Sequence, residues 1–280
     1  MRVARARRAD PKVKKRILVA CPGQINSLVF NEKSMRRSSY GLAFRVLAGL
    51  IVVAFGVALW TRPAAAMASG TIELKFDYWP TNENATDQFG SGSWNTQIWG
   101  GDFRYTSNQN WGIHLKYETG TQSNWSAFVG ATGGQDTVWS GDVFYGWQFP
   151  RATLRVFAGY GHIEYRFTNP VSFLDSTNTG YRVGVDGVIP LPNSRWQFNG
   201  GVAWYPSLSA SLTSTALGTF TGSGNAQDYS ASFQYNFPSG WLAEIGYRWI
   251  NVSTSGYTVG PYTFLNFQQN GPFLAVGYHW

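Results

Sequence analysis

Histidine is the side chain best suited to moving protons near neutral pH, and the chain has three, in the settings His114-Leu115-Lys116, His162-Ile163-Glu164 and His279-Trp280. A serine hydrolase built on one strand needs a histidine two residues from a serine, where both side chains leave the same face and the imidazole can take the hydroxyl proton. None of the three meets that spacing. Proteolysis through an acidic pair and an Asp-x-His pair has no candidate either, because neither Asp-x-Asp nor Asp-x-His occurs. His162-x-Glu164 echoes the zinc deaminases, but their Pro-Cys-x-x-Cys partner is missing. Cys21 is the single cysteine and precedes the expected mature chain, which excludes disulfides and thiolate metal sites there. No cofactor or metal site is expected. A histidine, an aspartate and a serine brought together from separate loops are the one route left to catalysis.

The elements that would have to position these groups follow from charge and periodicity. Of the 22 Lys and Arg, 13 lie before Gly70 with only 2 of the 15 acidic residues, which leaves nine basic against thirteen acidic residues after it. The basic balance therefore belongs to the leader, and no nucleic-acid partner is expected. Residues 46–60 (VLAGLIVVAFGVALW) form an uncharged apolar run preceded by Arg36, Arg37 and Arg45 and followed by Ala64-Ala65-Ala66-Met67-Ala68. That is the n-region, h-region and small-residue cleavage site of a secretory signal. Cleavage is expected after Ala66 or Ala68. The run is short for a spanning helix, which needs roughly 20 residues, although an uncleaved inner-membrane anchor is the alternative. Residues 1–34 read as a basic extension ahead of a true start at Met35, 35–68 as the signal peptide and 69–280 as the folded domain. Arg36-Arg37 is a weak twin-arginine signal, so the Sec translocon is the expected export route.

After Gly70 the pattern alternates apolar with polar or small residues, the dyad repeat of half-buried strands. Ten segments show it most clearly: 71–79, 96–105, 111–118, 138–149, 153–165, 181–189, 196–205, 229–237, 241–250 and 273–280. Short turns at 107–110, 150–151, 190–194 and 238–240 alternate with long polar stretches at 80–93, 119–137, 168–179, 206–228 and 251–271, expected to be loops. Short turns at one end and long loops at the other predict an all-β, antiparallel up-and-down transmembrane β-barrel of about ten strands, with eight or twelve as alternatives. A twelve-strand version would need strands in 125–131 and 208–220. Tyr105, Trp111, Trp147, Trp196, Phe237 and Trp241 sit beside the short turns and are expected to form a periplasmic aromatic girdle, with Phe149 and Trp280 at the same level. Trp139 and Trp147, Trp196 and Trp204, Tyr229 and Phe237, and Trp241 and Trp249 are each eight residues apart. Eight residues at about 3.3 Å, tilted about 40°, span roughly 20 Å, close to the ~25 Å apolar band of such barrels.

The last residues, Pro272-Phe273-Leu274-Ala275-Val276-Gly277-Tyr278-His279-Trp280, resemble the C-terminal strand signature of bacterial outer-membrane β-barrels of the small OmpA-like or porin-like kind. That signature ends in an aromatic residue with Tyr two before it and apolar residues alternating behind. Trp in place of the commoner terminal Phe is a departure. The resemblance covers the mature chain and implies an assembly signal in Leu274, Val276, Tyr278 and Trp280. It also implies recognition by the barrel-assembly machinery, outer-membrane lipid as surroundings, and location in the outer membrane of a diderm bacterium.

If the aromatic parity faces lipid, the other parity faces the lumen. It carries Lys75, Arg104, Lys116, Arg155, Arg182 and Arg248 against Glu73, Asp77, Asp102, Glu118, Asp142, Asp186 and Glu244. Charge on the lipid face costs about 2–4 kcal/mol for Arg or Lys at mid-bilayer, so segregation alone says nothing of transport. The near balance predicts a lumen narrow enough for opposite charges to pair and close it. After Gly159-Tyr160-Gly161 the residues His162, Glu164 and Arg166 fall on the outward parity. The strand has there either a bulge or an end in water, the second being favoured. Tyr257, Tyr262, Phe264 and Phe267 give the last loop an aromatic character, read as upward extensions of the last two strands in preference to an adhesive patch. The expected function is a non-enzymatic outer-membrane barrel serving envelope integrity, surface interaction with an unidentified ligand, or very narrow solute passage. The alternatives are a small porin, a barrel enzyme acting on lipid or peptide, and a secreted soluble all-β binding protein.

Overall fold

The computed structural model describes residues 70–124, 132–168, 173–215, 217–257 and 263–280. They form ten strands: β1 (Thr71–Asp87), β2 (Gly90–Thr106), β3 (Trp111–Ser123), β4 (Gly133–Phe149), β5 (Ala152–Thr168), β6 (Phe173–Pro190), β7 (Trp196–Ser214), β8 (Gly218–Asn236), β9 (Trp241–Ser255) and β10 (Phe264–His279). Each pairs antiparallel with its sequence neighbours, and β1 pairs with β10 to close the barrel. Closure matters because an open edge would leave a row of unpaired N–H and C=O groups. The seam is completed by Ile72 and Trp280, whose backbones exchange hydrogen bonds of 2.9 and 3.0 Å.

The short turns behave as their sequences require. In Ser107–Asn110 the amide of Asn110 donates to Ser107 at 3.1 Å, and Asn110 takes φ 65°. In Phe237-Pro238-Ser239-Gly240 the amide of Gly240 donates to Phe237 at 3.2 Å, with φ 89° at Gly240. Both are type I turns followed by a left-handed residue, the usual three-residue hairpin connection. Asn and Gly stand where that conformation is needed.

The expected long loops are a different matter. Most of 80–93, 119–137, 168–179, 206–228 and 251–271 is strand: β1 runs on to Asp87, β7 to Ser214, and β8 begins at Gly218. Residues 125–131, raised as an eleventh strand, lie outside the described residues. Residues 208–220 belong to β7 and β8 and add no strand of their own. Tyr262 also lies outside the described residues, while Phe264 and Phe267 are part of β10. Polarity misled because these upper halves alternate in the reverse sense. In β7 the inward residues are Leu208, Ala210 and Leu212 and the outward ones Ser209, Ser211 and Thr213.

At Gly159-Tyr160-Gly161 the pairing of β5 with β4 and with β6 is unbroken, so there is no bulge and the strand simply continues upward. The bulge lies in β7. Between Trp204 and Leu208 that strand carries one residue more than either partner, and Pro206, which has no N–H to offer a ladder, sits in it.

Candidate functional site: the lumen and its closure

Most strands invert their polarity at about the same height; β3, whose upper inward residues are Gly120 and Gln122, does not. In the half nearer the short turns the outward residues are apolar and exposed, among them Leu115, Val143, Val156, Val185, Phe233, Ile245, Leu274 and Val276. This band is bordered below by Trp111, Trp147, Trp196, Phe237, Trp241 and Trp280, and above by Trp99, Trp139, Tyr160, Trp204, Tyr229 and Trp249. The lower ring is knitted by edge-to-face contacts: Tyr105 on Trp111 at 6.0 Å, Trp196 on Tyr235 at 5.1 Å and Trp241 on Tyr278 at 5.6 Å. Tyr278 also lies 5.5 Å from Trp280, so the terminal aromatic residues join this ring.

Inside that band the thirteen charged residues read from parity all face the lumen, and each cation has a carboxylate in reach. Lys75 lies 3.1 Å from Glu73 and 2.9 Å from Glu244. Arg104 is 4.0 Å from Glu73, Lys116 is 3.4 Å from Asp77 and 3.0 Å from Glu118, and Arg155 pairs with Asp186. Arg182 lies 3.3 Å from Asp142 and its guanidinium stands 5.1 Å above the Phe157 ring. Arg248 is the hub. It grips Glu118 at 2.6 Å across the barrel and Asp228 at 2.7 Å on the neighbouring strand, and it lies 4.8 Å over the Trp79 ring. The lumen between them encloses a cavity of about 200 Å³. Below it the mouth at the short-turn end is wider and polar, lined by Thr71, Arg104, Gln197, Asn236 and His279 among others.

Two members of this network were not foreseen. His114 shares the parity of Lys116 and Glu118, and its ring lies between two carboxylates: Nε2 is 2.8 Å from Asp102 and Nδ1 3.4 Å from Asp142. Its parity, shared with Lys116 and Glu118, is the signal in the sequence that places it there. Asp228 was assigned to a loop, although it stands one residue before the outward Tyr229.

The expected closure by ion pairs alone is incomplete, because a second plug lies above the charges. Ile98, Ile163, Tyr165, Phe167, Leu208, Leu212, Ile250, Val252, Leu265 and Phe267 are buried together inside the upper half. Phe267 stacks on Tyr165 at 4.2 Å and on Phe167 at 5.9 Å. Tyr205 occupies the junction: a Cβ at Gly161 would lie 2.7 Å from its ring, so only glycine allows that packing. Embedded in this core is one polar cluster. Glu83 accepts hydrogen bonds from Trp94 Nε1 at 2.7 Å, Gln269 Nε2 at 2.6 Å and Thr81 Oγ1 at 2.7 Å, and Gln122 Nε2 donates to Asp136 at 2.5 Å. Burial pushes the Asp136 carboxyl well above the usual carboxylate range, and the charge of Glu83 and a hydrogen bond to it add to the shift. A carboxyl that keeps its proton can donate, which is how such a group persists in an apolar core.

No constellation of hydrolytic geometry assembles among the described residues. His114 is in the lumen, His279 at the lower mouth and His162 on the outer wall, where it stacks on Trp139 at 5.4 Å. No group of three or more His, Cys, Asp or Glu suited to a metal occurs among the described residues.

No protein-family model matches the chain, and no curated protein matches it in sequence. Solved structures do. The outer-membrane protease OmpT from Escherichia coli matches at a TM-score of 0.54 and 10% identity, over 75% of this chain and 96% of that one. The translocator domain of the autotransporter NalP from Neisseria meningitidis matches at 0.46 and 11%, over 85% and 97%. The attachment invasion locus protein Ail of Yersinia pestis matches at 0.36 and 13%, over 75% and 99%. The first of these likenesses carries the fold, that of the bacterial outer-membrane β-barrels, and nothing of the protease's chemistry.

Proposed function

We propose that this chain is a closed, non-enzymatic outer-membrane barrel that carries a polar wall above the membrane for surface interaction and envelope integrity, without a conducting channel. The observation that carries this reading is the inversion of polarity along most of the strands. An apolar exterior over a charged interior is stable only in a bilayer, and a polar exterior over an apolar core is stable only in water. The lower halves thus belong in lipid and the upper halves outside it, and the upper core obstructs any path through the lumen. With the apolar band in the outer membrane, the short turns face the periplasm and the long strand extensions the outside. Residues 35–68 act as a Sec-dependent signal peptide, and the final strand engages the assembly machinery.

Above the apolar band the wall is built of Ser, Thr, Asn and Gln, for example Asn82, Asn95, Thr121, Ser209, Thr221 and Ser253. Such a wall is suited to uncharged partners. The positions of the three histidines support a non-catalytic role. Two measurements test the reading. A maleimide probe on intact cells should label Leu217→Cys, at the β7–β8 tip, and leave Gln109→Cys, in the β2–β3 turn, unlabelled; the reverse pattern would overturn the orientation. The purified protein in a planar bilayer should show no steady conductance, and steady channels would promote a porin in its place.

A further inference from the structure

The outer wall is not uniform between β3 and β6. The apolar band there has a groove of about 610 Å³, floored by Gly141 and Ala158, flanked by Leu115, Val143 and Val183, and overhung by Tyr160 and Tyr181. The floor is low because Gly141 on β4 and Ala158 on β5, diagonal neighbours across that pair, are both small and share the outward parity. Tyr181 is 75% exposed and meets Tyr160 edge-on at 5.5 Å, so the pair stands off the wall at the upper edge of the groove.

Continuing up the outward face of β5 come His162, Glu164 and Arg166, with Asp175 beside them on β6. Arg166 holds Glu164 at 3.0 Å and Asp175 at 3.0 Å, and His162 Nε2 lies 3.6 Å from Glu164. Among the described residues these are the only charged side chains on the outer wall above the apolar band. Every other charge of the ten strands faces the interior, and the remaining two arginines, Arg151 and Arg195, lie in the short turns. The one charged patch therefore stands directly over the groove, on the same strand. From Ala158 to Glu164 is six residues, roughly 20 Å along the strand and about 15 Å in height at the tilt of such barrels, which matches the separation between mid-chain and headgroup in a phospholipid.

We propose that the groove and the patch above it form one binding site for a zwitterionic phospholipid of the phosphatidylethanolamine type, with an acyl chain against Gly141 and Ala158, its ammonium at Glu164 and Asp175, and its phosphate at Arg166 and His162. Charge decides the headgroup. Two carboxylates face one guanidinium, so the patch favours a lipid that brings an ammonium as well as a phosphate and disfavours a purely anionic one. The neighbouring His162 and Arg166 hold the Glu164 carboxyl below its ordinary range, which keeps it ionised for that role. The site rests on the membrane reading above, since the groove is filled by a lipid chain only if the band lies in a bilayer.

The test is native mass spectrometry of the protein released from nanodiscs containing phosphatidylethanolamine and phosphatidylglycerol in equal amounts with identical chains. The parent should retain one phosphatidylethanolamine. Ala158→Leu, which fills the groove from the exposed side, should lower that retention at least tenfold. Glu164→Gln with Arg166→Gln, on the wall above the apolar band, should abolish the preference between headgroups, and it serves as the variant of record if Ala158→Leu fails to fold. Equal retention of the two lipids by the parent, undiminished retention in Ala158→Leu, or displacement of phosphatidylethanolamine by lipid A added to the same nanodiscs would overturn the proposal. A protein that does not insert into nanodiscs refutes the membrane reading, whereas one that inserts and retains no lipid refutes this site alone.

Discussion

Replacing Arg248 by Met removes the cation that holds the lumen together, and its effect can be worked from the geometry. The Arg248 side chain is 6% exposed and binds Glu118 through Nη1 and Asp228 through Nε and Nη2. Without it Glu118 retains Lys116 at 3.0 Å, but Asp228 is left with no ion-pair partner and with its side chain 11% exposed. Leaving one charge of a buried pair uncompensated costs about 3–5 kcal/mol. With a urea dependence near the upper end of the usual range, about 3 kcal/mol per molar for a domain of this size, the unfolding midpoint should fall by about 1 to 2 M, followed by tryptophan fluorescence in micelles. The comparison is Asp175→Asn, which breaks a pair whose Arg166 is 45% exposed. A screened surface pair is worth about 0–1 kcal/mol, so that midpoint should move by no more than about 0.3 M. The decisive result is the double variant Arg248→Met with Asp228→Asn, which removes the stranded charge and should recover part of the loss. If the double variant is no more stable than Arg248→Met alone, or if Arg248→Met shifts the midpoint no further than Asp175→Asn, the account of the lumen as mutually compensated charge is wrong.

The upper core makes its own demand: Phe267→Ala should cost about 3–5 kcal/mol, the usual range for a buried aromatic, and a loss under about 1 kcal/mol by the same urea assay would show that the plug is loosely packed. Asp136 supplies a pH signature. Its carboxyl is raised in the folded state, so the native protein holds a proton that the unfolded chain releases above about pH 4. Stability should therefore fall as pH rises from there toward the folded value, and Asp136→Asn should flatten this dependence and be the more stable protein at neutral pH; parallel curves for parent and variant would contradict it. At the seam, Tyr278→Ala with Trp280→Ala removes the last aromatic pair of the lower ring and should leave protease-sensitive protein that is not heat-modifiable on gels, an expectation refuted by normal folded protein in the outer-membrane fraction.

The features legible in the sequence were those each strand carries by itself. Alternation along Thr153 to Tyr160 or Trp241 to Trp249 states which residues share a face, because successive side chains point to opposite sides whatever the neighbours are. Ten strands, the inward set of charges and the outward aromatic rings follow from that local rule. The same rule fails where both parities are uncharged. Ser207 to Ser214 and Gly218 to Gln227 looked like loop because Ser, Thr and Gly dilute the few apolar residues that mark the inner face.

What only the tertiary structure decided is which inward residues stand at one height and meet. Arg248 and Glu118 are 130 residues apart, and Gln269 and Glu83 are 186 apart. Their encounter depends on strand number, stagger and tilt acting together, none of which a single strand encodes. The bulge at Pro206 likewise shows only as a mismatch of count between paired strands. The apolar upper core is the largest such feature: its residues are spread over nine of the ten strands, one to three on each and set mostly between polar neighbours in sequence, and they become a core only when closure of the barrel turns them toward one another.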